Sequence, residues 1–497
     1  MFLCLSRNDN NKYIVLLYRV MNRFLSLVFF LLGLVSISMF YYDVFFSIGF
    51  SVVVYVLGTF SILYYFLKRR IGFTVVFLWI ALLLPFIHMI PYVGFDFINE
   101  EAGLLWHLAL NPYMQDERII MLAAMLGAVG GLGILFGQSL SKGKIPYGRI
   151  YKLPMKFGHT RTLSMPIWLV WVVAGVGLSW LTAPSETLIF STYLSSPSFM
   201  QGFNFGSAWL VSYVLIIFAL ADTFFEKDNI KRNIKNIIIL FSIAFIVIYL
   251  QLMRGDRESI PLVVAVFLAY FYWGSRIDMT RIDFVKQSSL VGLIFLTLLF
   301  VSWLLGIVRG SLVGMSSDQI YSHIREIILY NEMDLSRLFY GTWTGIMMTP
   351  LSVAGDYVNG SLPLKYGSDY VDFILSLPPG FVADAVGYVR PISAYTGPAH
   401  EMTYGIGGNH AVTVPFMNFR MVGVFLIPAF WTYLISRYEK KSMNNMTVVR
   451  LSFLCVFVTI APHWLWYGEK YGMNALIIWA VLGFLYRVSL SIRWRSS

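Results

Sequence analysis

Long apolar runs, separated by short polar stretches, dominate this chain. Most of them reach roughly the 20 residues that an α-helix needs to cross a bilayer. No small-residue cleavage pattern follows the first run, so we expect it to be a retained span rather than a signal peptide. The pattern predicts twelve transmembrane helices, near 24–42, 46–67, 72–92, 118–138, 165–183, 206–225, 237–253, 260–275, 289–308, 412–436, 451–467 and 473–490.

Lysine and arginine concentrate in every second connection between these runs. The basic connections are 12–23, 68–70, 139–164, 226–236, 276–286, 437–450 and 493–495. By the positive-inside rule that side is cytoplasmic, and both termini are predicted to lie there. The opposite side is poor in Lys and Arg apart from the short segment 254–258 and the long segment 309–411.

The composition agrees with a membrane protein. Hydrophobic residues make up 58% of the chain and charged residues 13%, against about 45–50% and about 25% in soluble domains. The positive-inside rule, together with anionic lipid at the cytoplasmic surface, explains the formal charge of +11. The alternative explanation is that the protein binds an anionic partner. No nucleic-acid partner is expected. Cys4 lies in the N-terminal tail and Cys455 inside an apolar run, which argues against a disulfide framework or a cysteine metal site.

A charged bridge, Arg254-Gly255-Asp256-Arg257-Glu258, separates two of the shorter apolar runs. Charge beside lipid is costly, so ionisable residues at such places suggest function. The short flanking runs predict a bridge that is sunk slightly into the outer leaflet and shielded from bulk water. Alternatively, the two arginines pair only with Asp256 and Glu258.

The segment 309–411 is predicted to be one large extracytoplasmic loop. Isoleucines at helical spacing in 316–334 indicate an amphipathic helix on the membrane surface. The weakly apolar stretch 340–357 is either a re-entrant element or a thirteenth span, and the charge alternation favours the former. The glycine-rich stretch 397–410 ends the loop and places four polar residues near the outer boundary: His400, Glu401, Asn409 and His410.

Four arginines are candidate ligands for a pyrophosphate at headgroup level. Arg254, Arg257 and Arg309 stand at outer ends of spans, and Arg420 lies about two turns into the tenth span. The planar guanidinium suits phosphate oxygens, although snorkelling or local pairing is the structural alternative. Candidate general bases are His400, Glu401 and His410, each of which could instead be an ordinary polar loop residue. The chain has no P-loop, HExxH or Ser-His-Asp signature.

These features resemble the O-antigen polymerase (Wzy-type) family of bacterial polysaccharide polymerases. The resemblance rests on the many-span layout with one dominant outer loop, on the LMRGDRES hairpin and on GIGGNHAVTVPFMNFRMVG at the start of the tenth span. The family often shows an Asn-Phe-Gly motif with a further glycine. Here Asn418, Phe419 and Gly423 fit, whereas Arg420 stands where glycine is usual. Val414 and Pro415 occupy the neighbourhood where an acidic residue often stands.

The resemblance implies a single all-α integral membrane domain, similar to the GT-C superfamily, in a bacterial cytoplasmic membrane. It implies polymerisation of undecaprenyl-pyrophosphate-linked repeat units at the outer face, into O-antigen, capsule or exopolysaccharide. Arg254, Arg257, Arg309 and Arg420 would bind pyrophosphate, and His410, His400 or Glu401 would be the base. Asp256, Glu258 and Asn409 would orient these side chains.

The expected reaction uses no cofactor and no metal, since the arginines could take the place of a metal ion. Expected partners are the lipid-linked donor and acceptor, membrane lipid, a chain-length regulator and a flippase. Two alternatives stay open. One is an O-antigen ligase-type transferase with a different acceptor. The other is a flippase or transporter of lipid-linked sugars, for which internal repeats would be expected.

Overall fold

The structure is a computed structural model of the chain. It describes residues 7–67, 71–83, 86, 116–141, 163–181, 206–225, 349–378, 383, 385–389, 391, 410–444, 446–467 and 469–495, with the isolated positions 319, 322, 325 and 326.

Helices account for nearly all of these residues, and no strand occurs in the described ranges. The helices are α1 (Arg7–Tyr41), α2 (Ile48–Leu67), α3 (Phe73–Leu83), α4 (Glu117–Leu140), α5 (Met165–Leu181), α6 (Gly206–Phe225), α7 (Ser368–Leu375), α8 (His410–Asn444), α9 (Val448–Tyr467) and α10 (Glu469–Arg495). A further helical segment occupies 349–358.

All of these long helices lie where the sequence predicts spans. Five contain stretches long and apolar enough to cross a membrane, namely Arg23–Tyr41, Ile48–Leu67, Glu117–Leu140, Ala411–Met443 and Gly472–Ser491. Four shorter apolar helices accompany them. The described residues therefore have the architecture of a helical, membrane-embedded protein. The predicted spans 237–253, 260–275 and 289–308 lie outside the described residues, so the count of twelve stays a prediction.

Helix α4 is the most enclosed element of the described bundle. It packs against α1, α2, α3 and α8, and almost every residue from Ile119 to Ser139 is buried. Its sequence explains this position, because alanines and glycines fill LAAMLGAVGGLGILFG and let neighbouring helices approach from several sides.

The closest approach is between α4 and the backbone of α8. A β-carbon at Gly133 would collide with the carbonyl oxygen of Phe425, and one at Gly137 would collide with that of Ala429. Residues four apart share one face of a helix. Gly133 and Gly137 thus form a small-residue stripe against which α8 packs directly. The helices α4 and α8 are parallel, because Gly133 meets Phe425 and Gly137 meets Ala429.

Polar contacts fix the end of α4 against α8. Lys440 donates from Nζ to the carbonyl oxygen of Ser141 at 2.7 Å and to its Oγ at 3.0 Å, and Ser436 Oγ reaches the same hydroxyl at 3.0 Å. An ammonium group at the carboxyl end of a helix is favourable because the unpaired carbonyls there are negative. The basic-residue pattern predicts that this end faces the cytoplasm.

A second polar contact joins α5, α6 and α10. Asp222 is fully buried, and its carboxylate accepts from the backbone N–H of Leu163 at 2.8 Å, from Trp168 Nε1 at 2.7 Å and from Tyr486 Oη at 2.6 Å. A buried carboxylate is tolerated only when hydrogen bonds replace its hydration. Three donors from separate places supply them, so Asp222 acts as a structural tie.

The residues that the structure describes at the start of the segment 309–411 agree with the predicted helix. Positions 319, 322, 325 and 326 are helical and exposed, which suits the polar side of an amphipathic helix. The described residues of the stretch 340–357 belong to the helical segment 349–358. Leu351, Val353 and Ala354 of this segment are buried. Its non-spanning character stays a prediction.

We expect Gly137→Ala to destabilise the bundle, because the added methyl group would collide with the α8 backbone and not with a movable side chain. The expected cost is about 1–3 kcal/mol. The measurement is the apparent Tm of the purified protein in detergent, followed by tryptophan fluorescence. Gly177→Ala in α5 is the matched control, because nothing lies within 4 Å of a β-carbon there. Equal Tm values for the two variants would contradict the close α4–α8 contact.

Candidate anion-binding site

Helix α8 is broken at Arg420, where the backbone has φ 52° and ψ −148°. Residues other than glycine rarely adopt such a conformation, because the β-carbon meets neighbouring backbone atoms. Strained backbone of this kind costs on the order of 1–3 kcal/mol and persists where the surrounding structure holds it. Arg420 is therefore fixed at a sharp corner between two helical halves, 410–419 and 421–444.

The two halves lie against each other near this corner. A β-carbon at Gly423 would lie 2.5 Å from the carbonyl oxygen of Pro415, although residues eight apart in a continuous helix are about 12 Å from each other along the axis. The chain thus turns back at Arg420, and glycine at 423 allows the close approach. The predicted tenth span is correct in place, but its first part does not continue the axis of the second.

The corner lies at the end of the bundle where α1 ends, which the charge pattern predicts to be the outer end. Phe416, from the first half of α8, packs edge-on against Phe40 of α1 at 5.6 Å between ring centroids. Tyr357 packs against both rings, at 5.1 Å from Phe40 and 5.3 Å from Phe416. These three rings, Phe40, Tyr357 and Phe416, form an aromatic box beneath the guanidinium of Arg420.

The Arg420 side chain is half-buried and held on two sides. Its guanidinium carbon lies 5.1 Å from the ring centroid of Tyr357 and 5.5 Å from that of Phe416. Nη2 donates to the carbonyl oxygen of Leu362 at 2.8 Å. Cation–π contact and this hydrogen bond together fix the orientation of the planar group.

Nη1 of Arg420 is buried and has no hydrogen-bond partner among the residues that the structure describes. Leaving a buried donor unpaired costs about 1–3 kcal/mol, and more when the group is charged. The arrangement therefore offers an oriented cation with donor capacity to spare. An anion with several acceptor oxygens would satisfy it.

Tyr357 supplies a neutral hydroxyl beside this cation. Burial raises the pKa of Tyr357, and the positive charge of Arg420 lowers it in part. The phenol accordingly stays protonated at neutral pH, and it can donate a hydrogen bond to an anionic ligand next to Arg420.

The loop that carries Leu362 is tied to α8 by Asn418. Asn418 Nδ2 donates to Asp369 Oδ2 at 2.8 Å, and the backbone N–H of Asp369 donates to Asn418 Oδ1 at 3.3 Å. Lys365 adds an ion pair to Asp369 at 3.1 Å and donates its backbone N–H to the Met417 carbonyl at 3.1 Å. Since Asn418 and Asp369 are both buried, this pairing sets the position of the loop, and with it the acceptor for Arg420.

Helix α1 ends near the site in a turn that places Asp43 in the left-handed region, with φ 58°. The N–H of Val44 donates to the Met39 carbonyl at 2.9 Å, and the N–H of Asp43 donates to the Phe40 carbonyl at 3.0 Å. These two hydrogen bonds form a Schellman motif, in which the position of Asp43 is usually a glycine. A side chain there costs about 1 kcal/mol. The carboxylate pairs with Arg118 of α4 at 2.5 Å, but exposed ion pairs contribute only about 0–1 kcal/mol.

Of the arginines predicted from sequence, Arg420 lies in this site. His410 is the first residue of α8, so its backbone stands about 15 Å from Arg420 along the first helical half. The structure does not bring those two positions together along the helix. The remaining predicted residues, Arg254, Asp256, Arg257, Glu258, Arg309, His400, Glu401 and Asn409, lie outside the described residues, and their roles stay predictions.

Sequence reasoning missed Tyr357, Lys365 and Asp369. Asp369 is 49 positions from Asn418, and no local sequence pattern indicates such a pair. Within the described ranges no three His, Cys, Asp or Glu side chains lie together as a metal site would require.

Comparison with protein-family models, with curated proteins and with solved structures gives no match in any of the three.

We expect Asn418 and Asp369 to be strongly coupled in a double-mutant cycle. Either single change to Ala removes the hydrogen bond between Asn418 Nδ2 and Asp369 Oδ2, so the coupling free energy should be about 1–3 kcal/mol. Unfolding of the purified variants by heat or denaturant measures it. The control cycle pairs Asn418→Ala with Asp372→Ala, a half-exposed residue of α7, and should be additive within about 0.5 kcal/mol. Additivity in both cycles would contradict the pairing.

Proposed function

We propose that this chain is a membrane glycosyltransferase that polymerises undecaprenyl-pyrophosphate-linked oligosaccharide repeat units. The product is a surface polysaccharide, made at the outer face of a bacterial cytoplasmic membrane. The observation that carries the proposal is the Arg420 guanidinium, which is held between aromatic rings with a buried donor unpaired among the described residues. The resemblance of the surrounding sequence to O-antigen polymerases is its second support.

A lipid pyrophosphate suits this guanidinium chemically. As the bond from the sugar to pyrophosphate breaks, negative charge builds on the departing oxygen. A preoriented cation stabilises that charge more than it stabilises the bound substrate, and this difference accelerates the reaction. Because Tyr357, Phe416 and the Leu362 carbonyl already orient Arg420, little reorganisation is needed when the leaving group departs.

The position of Arg420 in the motif supports the same function. Its backbone adopts a conformation that favours glycine, the residue usual at this place in the family. Here the corner is kept while the side chain adds a cation. We propose that the charge of Arg420 has a function in the reaction, and that this function outweighs the free-energy cost of the backbone conformation.

Exposed apolar side chains lie near the corner and along the second half of α8. Phe419, the neighbour of Arg420, is 41% exposed and stacks on Tyr370 at 5.8 Å. Leu426, Phe430 and Leu434 recur at intervals of four along α8 and are exposed as well. A substrate that diffuses in the bilayer could lay its polyprenyl chain along this apolar face while its headgroup meets Arg420.

The other predicted residues complete the proposal. Arg254, Arg257 and Arg309 would add phosphate contacts, with Asp256, Glu258 and Asn409 orienting them. We propose that the arginines take the part that a metal ion plays in related chemistry. A chain-length regulator and a flippase would act with the polymerase, which has both termini in the cytoplasm.

We expect Arg420→Ala to abolish long polymer. Losing one charge-stabilising group typically lowers kcat by about 10²–10³-fold. Arg420→Lys should restore it only in part, because an ammonium group lacks the planar fork. The measurement is the length distribution of surface glycan on gels, in cells whose own gene is replaced by each variant at matched protein levels. Single repeat units should still reach the surface.

Arg437→Ala is the matched control. Arg437 is on the same helix, is exposed, and bonds only the hydroxyl of Tyr433 among its described contacts, so glycan length should be normal. Long polymer in Arg420→Ala cells would overturn the site. Loss of even single repeat units from the surface would favour a flippase over a polymerase.

A further inference from the structure

The short helix α7 has two different faces. Asp369 and Phe373, which lie four residues apart on one face, are buried against the bundle. The opposite face carries Val371, Ile374 and Leu375, and all three side chains are exposed. Single exposed apolar residues are ordinary in proteins, but several together on one helix face indicate a surface that contacts something other than water.

A second segment extends this exposed face. Tyr388 donates from Oη to the carbonyl oxygen of Leu375 at 3.0 Å, so the segment 385–389 lies beside the carboxyl end of α7. Val386 and Val389 in that segment are exposed as well. We call these five exposed side chains the apolar patch: Val371, Ile374, Leu375, Val386 and Val389.

Direct contacts hold α7 against the corner of α8. Asn418 and Asp369 share two hydrogen bonds, at 2.8 and 3.3 Å. Tyr370 stacks on Phe419 with the ring centroids 5.8 Å apart. Phe419 is itself exposed and belongs to the apolar stretch Ala411–Met443, which is long enough to cross a membrane. The surface of α7 therefore adjoins a surface of α8 that faces lipid.

The length of α8 gives the depth of this corner in the membrane. Arg437 and Lys441 are exposed near the other end of the helix, and exposed basic side chains of this kind mark a membrane boundary. The helix from Arg420 to these two residues is about 25–32 Å long at 1.5 Å per residue. This length matches the hydrocarbon core of a bilayer, which is roughly 30 Å thick. The corner, and α7 with it, thus lies at the opposite boundary.

Lipid is the occupant that suits the apolar patch at this depth. The apolar face of a helix at the boundary can insert about 5–10 Å into the region between headgroups and acyl chains. A stable protein–protein interface needs about 20–30 residues on each side, which is far more than the five of the patch. Acyl chains need no matching shape, so they can cover a surface as small as this one.

We propose that α7 and the segment 385–389 form a membrane anchor, which inserts the apolar patch into the lipid leaflet beside the corner of α8. The anchor fixes the loop 359–367 at the depth of the lipid phosphates. It also fixes the Leu362 carbonyl of that loop, which accepts a hydrogen bond from Arg420. This inference goes beyond the proposed function, because it holds whichever reaction the site performs.

The test measures the depth of three positions in nanodiscs of phosphatidylethanolamine and phosphatidylglycerol. Cysteines are introduced one at a time, by Ile374→Cys, Asn359→Cys or Phe430→Cys, into the full chain carrying Cys4→Ser and Cys455→Ala. Each cysteine is labelled with an environment-sensitive fluorophore. The quenchers are iodide in the water and spin-labelled phosphatidylcholine, with the spin label at the headgroup, near the top of the acyl chain or at its end.

The spin label near the top of the acyl chain should quench the fluorophore at position 374 about threefold more than the one at position 359. Iodide should quench more strongly at 359, because Asn359 is a polar, exposed residue of the loop 359–367. Phe430 is the lipid control. It is exposed and lies about 15 Å along α8 from the corner, so the label at the chain end should quench most strongly there. Each labelled protein should keep the apparent Tm of the unlabelled one.

Strong iodide quenching at 374 without lipid quenching would overturn the proposal, since the apolar patch would then face water. Protection from both quenchers would overturn it as well, because a protein surface would cover the patch. A failure of lipid labels to quench at 430 would refute the membrane depth assigned to the corner. None of these readouts uses glycan synthesis. A failed anchor therefore leaves the proposed function standing, and an inactive polymerase leaves the anchor standing.

Discussion

The contact between the glycine stripe of α4 and the backbone of α8 is the constraint on which the site depends. Gly133 and Gly137 leave no room for a side chain against Phe425 and Ala429. Because the second half of α8 is seated there, the corner at Arg420 falls beside the end of α1. Lipid tails are as apolar as the side chains that face them, so the hydrophobic effect does not drive helices together within a bilayer. Close packing of this kind stabilises a membrane bundle instead. The Asn418–Asp369 pair then holds the loop 359–367 against that part of the bundle.

Two residues at one end of the bundle stand where the backbone favours glycine. Arg420 occupies the corner of α8 with φ 52°, and Asp43 the turn after α1 with φ 58°. One is a cation and the other an anion. The conformation lowers local stability at each of the two positions.

The sequence was sufficient for the helices and insufficient for the contacts between them. Apolar runs identify the helices because burial in lipid requires about 20 apolar residues in a row. The break at Arg420 was not predicted, since the run FMNFRMVGVF is interrupted only by Asn418 and Arg420 and reads as one apolar helix. Arg420 was found because a charge in an apolar span is conspicuous. Tyr357, Asp369 and Lys365 were not, because they become neighbours of α8 only through folding over some 50 positions.

We propose that the broken helix and the preoriented guanidinium form one site for a lipid pyrophosphate. The most direct measurement is an electron cryomicroscopy structure of the full chain in lipid nanodiscs with undecaprenyl pyrophosphate added. We predict phosphate density within hydrogen-bond distance of Arg420 Nη1, with α8 turned back at Arg420. A continuous α8, or a pyrophosphate bound away from Arg420, would contradict it.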